Sequence, residues 1–156
     1  MRKTVIGADV GSDLELFDGV DGVDGLPHSE AVAIDLPGYR RVFVSGTAAI
    51  DGSGDVVAPG DAAAQTEHIY ETLSELLATV GGGLEDVVRL RLITEPLTEA
   101  EYLEVVAVRQ RYLEPGHEPA STVIEAADVG VEGMRLEVDV DAVIPDDGWS
   151  VGTAER

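Results

Sequence analysis

The clearest pattern in the chain lies near its end. From Met134 to Val143, Met134, Leu136, Val138, Val140 and Ala142 alternate with Arg135, Glu137, Asp139 and Asp141. A period of two is that of a strand with one face buried and the other facing solvent or a partner subunit. Ala31–Leu36 and Arg41–Thr47 read as two further strands, joined by the turn pair Pro37-Gly38. Val87–Thr94 and Ser121–Ala126 complete the strand set. Between them the spacing changes to that of helices. Asp61 is placed to cap a helix running to about Val80, with Ile69, Leu73, Leu76, Leu77 and Val80 on one stripe. A second helix is predicted from about Thr98 to Leu113, with Leu103, Val106 and Leu113 among its buried candidates.

The order is ββ, α, β, α, ββ. Two such helices are long enough to cover one face of a sheet of five or six strands, which predicts a single α+β domain. Residues 1–26 look loosely organised, 27–144 form the domain, and 145–156 (PDDGWSVGTAER from Pro145) read as a polar, mobile tail. The tract DGVDGVDG at 18–25 offers carboxylates, but it lacks the spacing and terminal Glu of an EF-hand and reads as turns. Gly81-Gly82-Gly83 follows a helix and lacks the Lys-Ser/Thr of a phosphate loop, so it is a helix stop.

Charge changes the picture more than hydropathy does. Thirty-one Asp and Glu stand against 10 Lys and Arg, a formal net charge of −21, and Lys3 is the only lysine. Such a field repels phosphate backbones and anionic membrane surfaces, so neither nucleic acid nor membrane is an expected partner. The acids are spread along the whole chain, the pattern of a solvated surface suited to a salty, halophilic cytoplasm. Raising salt from physiological strength to 1 M shortens the screening length from roughly 8 Å to about 3 Å and removes most of the self-repulsion. The competing reading is an acidic surface for a cationic partner. The absence of cysteine excludes a disulfide framework, a thiol nucleophile and a Cys-type zinc site. No membrane-length apolar run and no signal-peptide pattern occur, and a cytoplasmic location is expected.

Four segments then carry a resemblance: LPHSEAV at 26–32, RVFVSGTAAID at 41–51, EDVVRLRLITE at 85–95, and PASTVIEA at 119–126 with RLEVDVDAV at 135–143. In this order and spacing the chain resembles the Rid family (YjgF-like proteins, often labelled endoribonuclease L-PSP). The resemblance implies a chorismate-mutase-like mixed sheet with two helices on one face, assembled as a homotrimer with small-molecule pockets in the clefts between subunits. Members of the family hydrolyse reactive enamines and imines to ammonia and a keto acid without a metal or organic cofactor. Others are described as ribonucleases or inhibitors of translation. The ribonuclease activity fits this chain poorly, because its charge opposes RNA and no catalytic His pair stands at a recognisable spacing.

Carried over by position, Glu137 matches the water-orienting glutamate, Ser45 and Gly46 the Ser-Gly that lines the pocket, and Ser121 and Thr122 the small polar pair after the family's arginine. The arginine itself is matched by Ala120. His28 stands where a tyrosine is usual, Val106 replaces an asparagine on the second helix, and Glu30 replaces a glutamine. Loss of a bidentate clamp for a carboxylate lowers affinity by roughly a hundredfold, which argues against the standard 2-imino acid substrates. Arg135, two residues before Glu137, and Arg91 on another strand are the candidates to substitute, against the alternative that each balances local acids. His28, His117, Glu30 and Glu137 offer metal-ligand chemistry, but nothing in their spacing demands a metal. Two functions remain: a Rid-type hydrolase acting through Glu137, and a non-catalytic metabolite-binding or regulatory trimer, which the apolar Ala120 and Val106 favour.

Overall fold

A computed structural model describes residues 1–8 and 27–152 of the chain. The elements are β1 (Arg2–Ile6), β2 (Ala31–Leu36), β3 (Tyr39–Ala48), α1 (Ala62–Thr79), β4 (Val87–Thr94), α2 (Glu99–Tyr112), β5 (Ala120–Glu125) and β6 (Leu136–Pro145). They form one six-stranded sheet in the order β1-β2-β3-β6-β4-β5. All neighbours are antiparallel except β4 and β5, which are parallel and joined through α2. β6 is inserted between β3 and β4, so the last strand of the chain becomes a central one.

The alternation that predicts β6 reports its two faces. Leu136, Val138, Val140 and Ala142 are buried, as is Met134 just before the strand, whereas Arg135, Glu137, Asp139 and Asp141 are half-buried. The apolar set packs beneath the helices with Leu90, Leu92 and the α1 stripe of Ile69, Leu73 and Leu77. Truncating a fully buried leucine such as Leu73 removes about 2–5 kcal/mol. No described helix lies on the opposite face, which carries the functional candidates of β3 and β6.

Local chemistry fixes the element ends. Asp61 accepts a hydrogen bond from the Ala64 amide and caps α1. Thr98 caps α2 in a reciprocal box with Glu101, whose carboxylate accepts from the Thr98 amide at 2.7 Å. The β2–β3 hairpin closes over Pro37-Gly38, where Gly38 at φ 85° supplies a backbone shape that L side chains resist.

Three features differ from the sequence-based expectation. Residues 2–6, expected to be loosely organised, form an edge strand paired along its length with β2. Five residues, two of them basic, are too short a run for periodicity to reveal; β2 supplies the pairing. In α2 the buried residues are Val105 and Val108, while Leu103 is 59% exposed. Apolar residues at 103, 105, 106 and 108 leave the register of that helix open, and the 105/108 stripe is the one that is buried. Finally, the tail docks: the Trp149 indole donates to Asp86 at 2.7 Å. The tract at 18–25 lies outside the described residues, as do residues 153–156.

Candidate functional site on the bare face of the sheet

Glu137 sits in a cross-strand row with Ala48 of β3 and Ile93 of β4, and Ile93 continues it to Ile124 of β5. The row is otherwise apolar, so the carboxylate gains no local cation from its strand neighbours. Between Val44 and Thr47 the pairing of β3 with β6 shifts register, and the irregularity places Gly46 against Glu137. A Cβ built on Gly46 would stand 2.9 Å from the carboxyl carbon of Glu137. Only glycine leaves the acid this space.

Burial pushes the Glu137 carboxyl above the ordinary glutamate range. Repulsion from Asp139, its neighbour on the same face, adds to that shift, and His28 partly offsets it. His28 itself is exposed at the entry to β2. Ser45 is committed to structure through both its polar groups: its hydroxyl donates to the Ser29 carbonyl at 2.7 Å and its amide to the Glu30 carbonyl at 2.8 Å. These bonds fix the 28–30 segment beside β3. His28, Ser45, Gly46 and Glu137 therefore form one neighbourhood at the end of β2, β3 and β6.

Ala120, Ser121 and Thr122 do not join it within one subunit. They begin the edge strand β5, two strands away from β6 and two to four residues along from the Glu137 row. Spacings of about 4.8 Å between strands and 3.3 Å per residue put more than roughly 10 Å between the groups. Their side chains also divide. Ala120 and Thr122 pair in register with Arg89 and Arg91, on the bare side. Ser121 pairs with the buried Leu90, on the helix side.

The two arginines considered as substitutes are held by acids. Arg91 grips Asp139 through Nε and Nη2 and stands 3.9 Å from Asp141. Arg135 donates to Glu101 at 3.0 Å and to the carbonyls of Gly60 and Pro96. It also stands 3.3 Å from Glu95, an ion-pair contact not aligned for a hydrogen bond. These contacts tie β6 to the starts of α1 and α2. An open cleft of about 460 Å³ there is lined by Asp61, Glu101 and Glu104 among others, and holds none of the predicted site residues.

The group that the sequence does not single out is Arg109, in the last turn of α2. Its Nη2 donates to the Ser121 hydroxyl at 3.0 Å and its Nε to the Tyr70 hydroxyl at 3.3 Å. Burial raises the Tyr70 pKa, and the nearby guanidinium opposes that shift. Arg109 has no acid three or four residues to either side, a usable signal in a chain with 31 Asp and Glu. No group of three His, Asp or Glu side chains is arranged to hold a metal among the described residues. His117 instead faces the Glu85 carbonyl at 3.2 Å. No described helix is long and apolar enough to cross a membrane.

A mixed six-stranded sheet with two helices on one face and an acid on the other defines an α+β protein of the YjgF type. Residues 26–144 match the family described as Endoribonuclease L-PSP, and the chain belongs to this Rid/YjgF family. Among curated proteins it is 36% identical over 86 residues to the 3-aminoacrylate deaminase RutC of Acinetobacter baylyi. That match spans 54% of this chain and 64% of RutC, a little under two thirds of the relative. The fold is also that of a YjgF/YER057c/UK114 family member from Mycobacterium tuberculosis, with TM-score 0.65, 24% identity, and coverage of 92% of this chain and 100% of the other. RidA from an Antarctic Psychrobacter gives TM-score 0.65 at 19% identity, with 92% and 100% covered.

Proposed function

We propose that the chain is the subunit of a homotrimeric Rid-type hydrolase that cleaves an imine, enamine or related metabolite in clefts between subunits. The observation that carries this reading is Glu137. It is half-buried, held against Gly46, paired with no cation among the described residues, and raised in pKa by burial. Such a carboxylate is a better proton acceptor than an exposed one and can orient a water molecule. Water oxygen bonds to the imine carbon while the nitrogen gains a proton, giving a carbinolamine. The C–N bond then breaks, the hydroxyl proton passes by way of the carboxylate to the departing nitrogen, and ammonia and a carbonyl compound leave. The similarity to a protein named as an aminoacrylate deaminase supports this reaction class. The bare sheet face, and the separation of Glu137 from the 120–122 group, support clefts completed by a neighbouring copy.

In this reading His28 and the Ser45-Gly46 backbone line the cleft beside Glu137, and Thr122 lines it from β5, while Ser121 turns to the helix side. Ala120 brings no cation, so the strand residues alone do not hold a 2-imino acid. The trimer works in the cytoplasm of a salt-adapted cell, where counterions screen the −21 charge of each subunit. No cofactor enters the reaction, and neither nucleic acid nor membrane is a partner.

The test is ammonia release from freshly generated imines in high salt by the wild type, Glu137→Ala and Ala120→Arg. Activity in the wild type that is lost in Glu137→Ala supports the hydrolase. Absence of release with every imine from an intact trimer counts against it. Ala120 and Val106, apolar where the family is polar, favour a second reading: a trimer that binds a metabolite without turnover. That reading predicts ligand-dependent thermal stabilisation with no chemistry.

A further inference from the structure

Of the three histidines in the chain, one stands beside Glu137. His68 lies on α1, on the far side of the sheet, and His117 faces the Glu85 carbonyl. His28 is placed differently. The Ser45 hydroxyl donates to the carbonyl of Ser29, the next residue, at 2.7 Å, and the Ser45 amide donates to the Glu30 carbonyl at 2.8 Å. The Glu30 amide in turn donates to the Gly7 carbonyl at 3.0 Å. The segment is thus pinned between β3 and the end of β1, against the residue that precedes Gly46, and Gly46 is where the Glu137 carboxylate packs. The imidazole and the carboxylate reach one space from two sides. The charge of His28 lowers the Glu137 pKa against the burial that raises it, as a cation close by must. The other charged groups around the pair are Asp139, half-buried on β6 and gripped by Arg91 of β4, and Glu30 on the imidazole's own segment. His28 is exposed, so solvent protons reach it.

We infer that His28 is the second catalytic group of the site, the acid that protonates the imine nitrogen while Glu137 acts as the base toward water. The inference rests on the hydrolase reading and narrows its substrate class to imines that arrive unprotonated, since a substrate already carrying the proton needs no donor. Water adds readily to an imine carbon only as the nitrogen gains a proton. A carboxylate that is taking a proton from water cannot supply one at the same moment. An imidazolium is the side chain suited to giving one near neutral pH. Its N–H passes the proton to the imine nitrogen as the water oxygen bonds to carbon and Glu137 takes a water proton. Glu137 then gives that proton to the amine nitrogen and takes the hydroxyl proton as the C–N bond breaks, releasing ammonia and the carbonyl compound. The proton left on Glu137 returns to the imidazole, and both groups are restored.

The test follows ammonia release by the full-length chain in high salt across the pH range, from freshly generated imines with the uncharged benzophenone imine among them. Carbon NMR follows the titration of the Glu137 carboxyl in parallel. The wild-type kcat/KM is expected to fall in acid as Glu137 protonates and in alkali as the imidazolium is lost. His28→Gln is expected to lose on the order of a hundredfold in kcat/KM, together with the alkaline limb. Added imidazole is expected to restore part of the rate to His28→Ala. Removing the cation also moves the Glu137 titration to higher pH, a change that needs no turnover. His68→Gln is expected to leave the rate, both limbs and the titration unchanged. An active wild type whose rate and alkaline limb survive in His28→Gln overturns the role of His28 and leaves Glu137 standing. So does a Glu137 titration indifferent to His28. A wild type inactive on every imine, with Glu137 still responding to His28, removes the hydrolase reading and this inference with it.

Discussion

Gly46 and Glu137 share a space that admits only one side chain: a Cβ at Gly46 would come within 2.9 Å of the Glu137 carboxylate. The register shift in β3 that brings them together is a backbone feature, so it persists when either side chain is changed. Gly46→Ala is expected to displace the carboxylate while leaving the sheet intact. A displacement of about 1 Å costs on the order of a hundredfold in rate. Ammonia-release kinetics beside a thermal melt separate the two effects, and a melt lowered in proportion to the lost activity contradicts the assignment.

The raised Glu137 pKa has a definite sign. The ionised form is disfavoured in the folded chain, so Glu137 costs stability as pH rises above its ordinary value of 4.5 towards its folded value. Below 4.5 that cost is absent. Glu137→Gln should therefore melt higher than the wild type at neutral pH, with the difference shrinking in acid.

The same shift places the acid limb of the rate profile above pH 4.5. Asp139→Asn removes the repulsion and frees Arg91, and both changes favour the ionised acid. The limb is expected to move to lower pH in this variant, as read from kcat/KM against pH.

Gln65 is fully buried and serves three backbone groups. Its Nε2 donates to the carbonyls of Ala58 and Gly133, and its Oε1 accepts from the Arg135 amide at 2.8 Å. Gln65→Leu leaves those groups unsatisfied at the start of the strand that carries Glu137. A loss of about 2–4 kcal/mol in denaturant unfolding is expected. A loss below about 1 kcal/mol would show that water replaces the side chain.

Much of this architecture is legible in the chain itself. β2 and β4 match their predicted bounds because turn residues flank clean apolar runs, and the faces of β6 follow from strict alternation. The register of α2 was not legible, since its apolar residues spread round the helix and only packing in the folded chain buries Val105 and Val108. At the site, Glu137 could be picked out from its strand face and its matched position. Arg109 could not. A cation in the last turn of a helix is ordinarily a solvated group that suits the helix dipole. Its contact with Ser121 crosses from helix to strand and exists only in the folded chain.

The most direct measurement of the central claim is the initial rate of ammonia release from freshly generated imines, in high salt, for the wild type and Glu137→Gln. The account predicts a wild-type rate above the spontaneous one and a loss on the order of 10²–10⁴-fold in the variant, with the assembly unchanged in size. Equal rates in the two proteins, each no faster than the uncatalysed reaction or each equally above it, would contradict it.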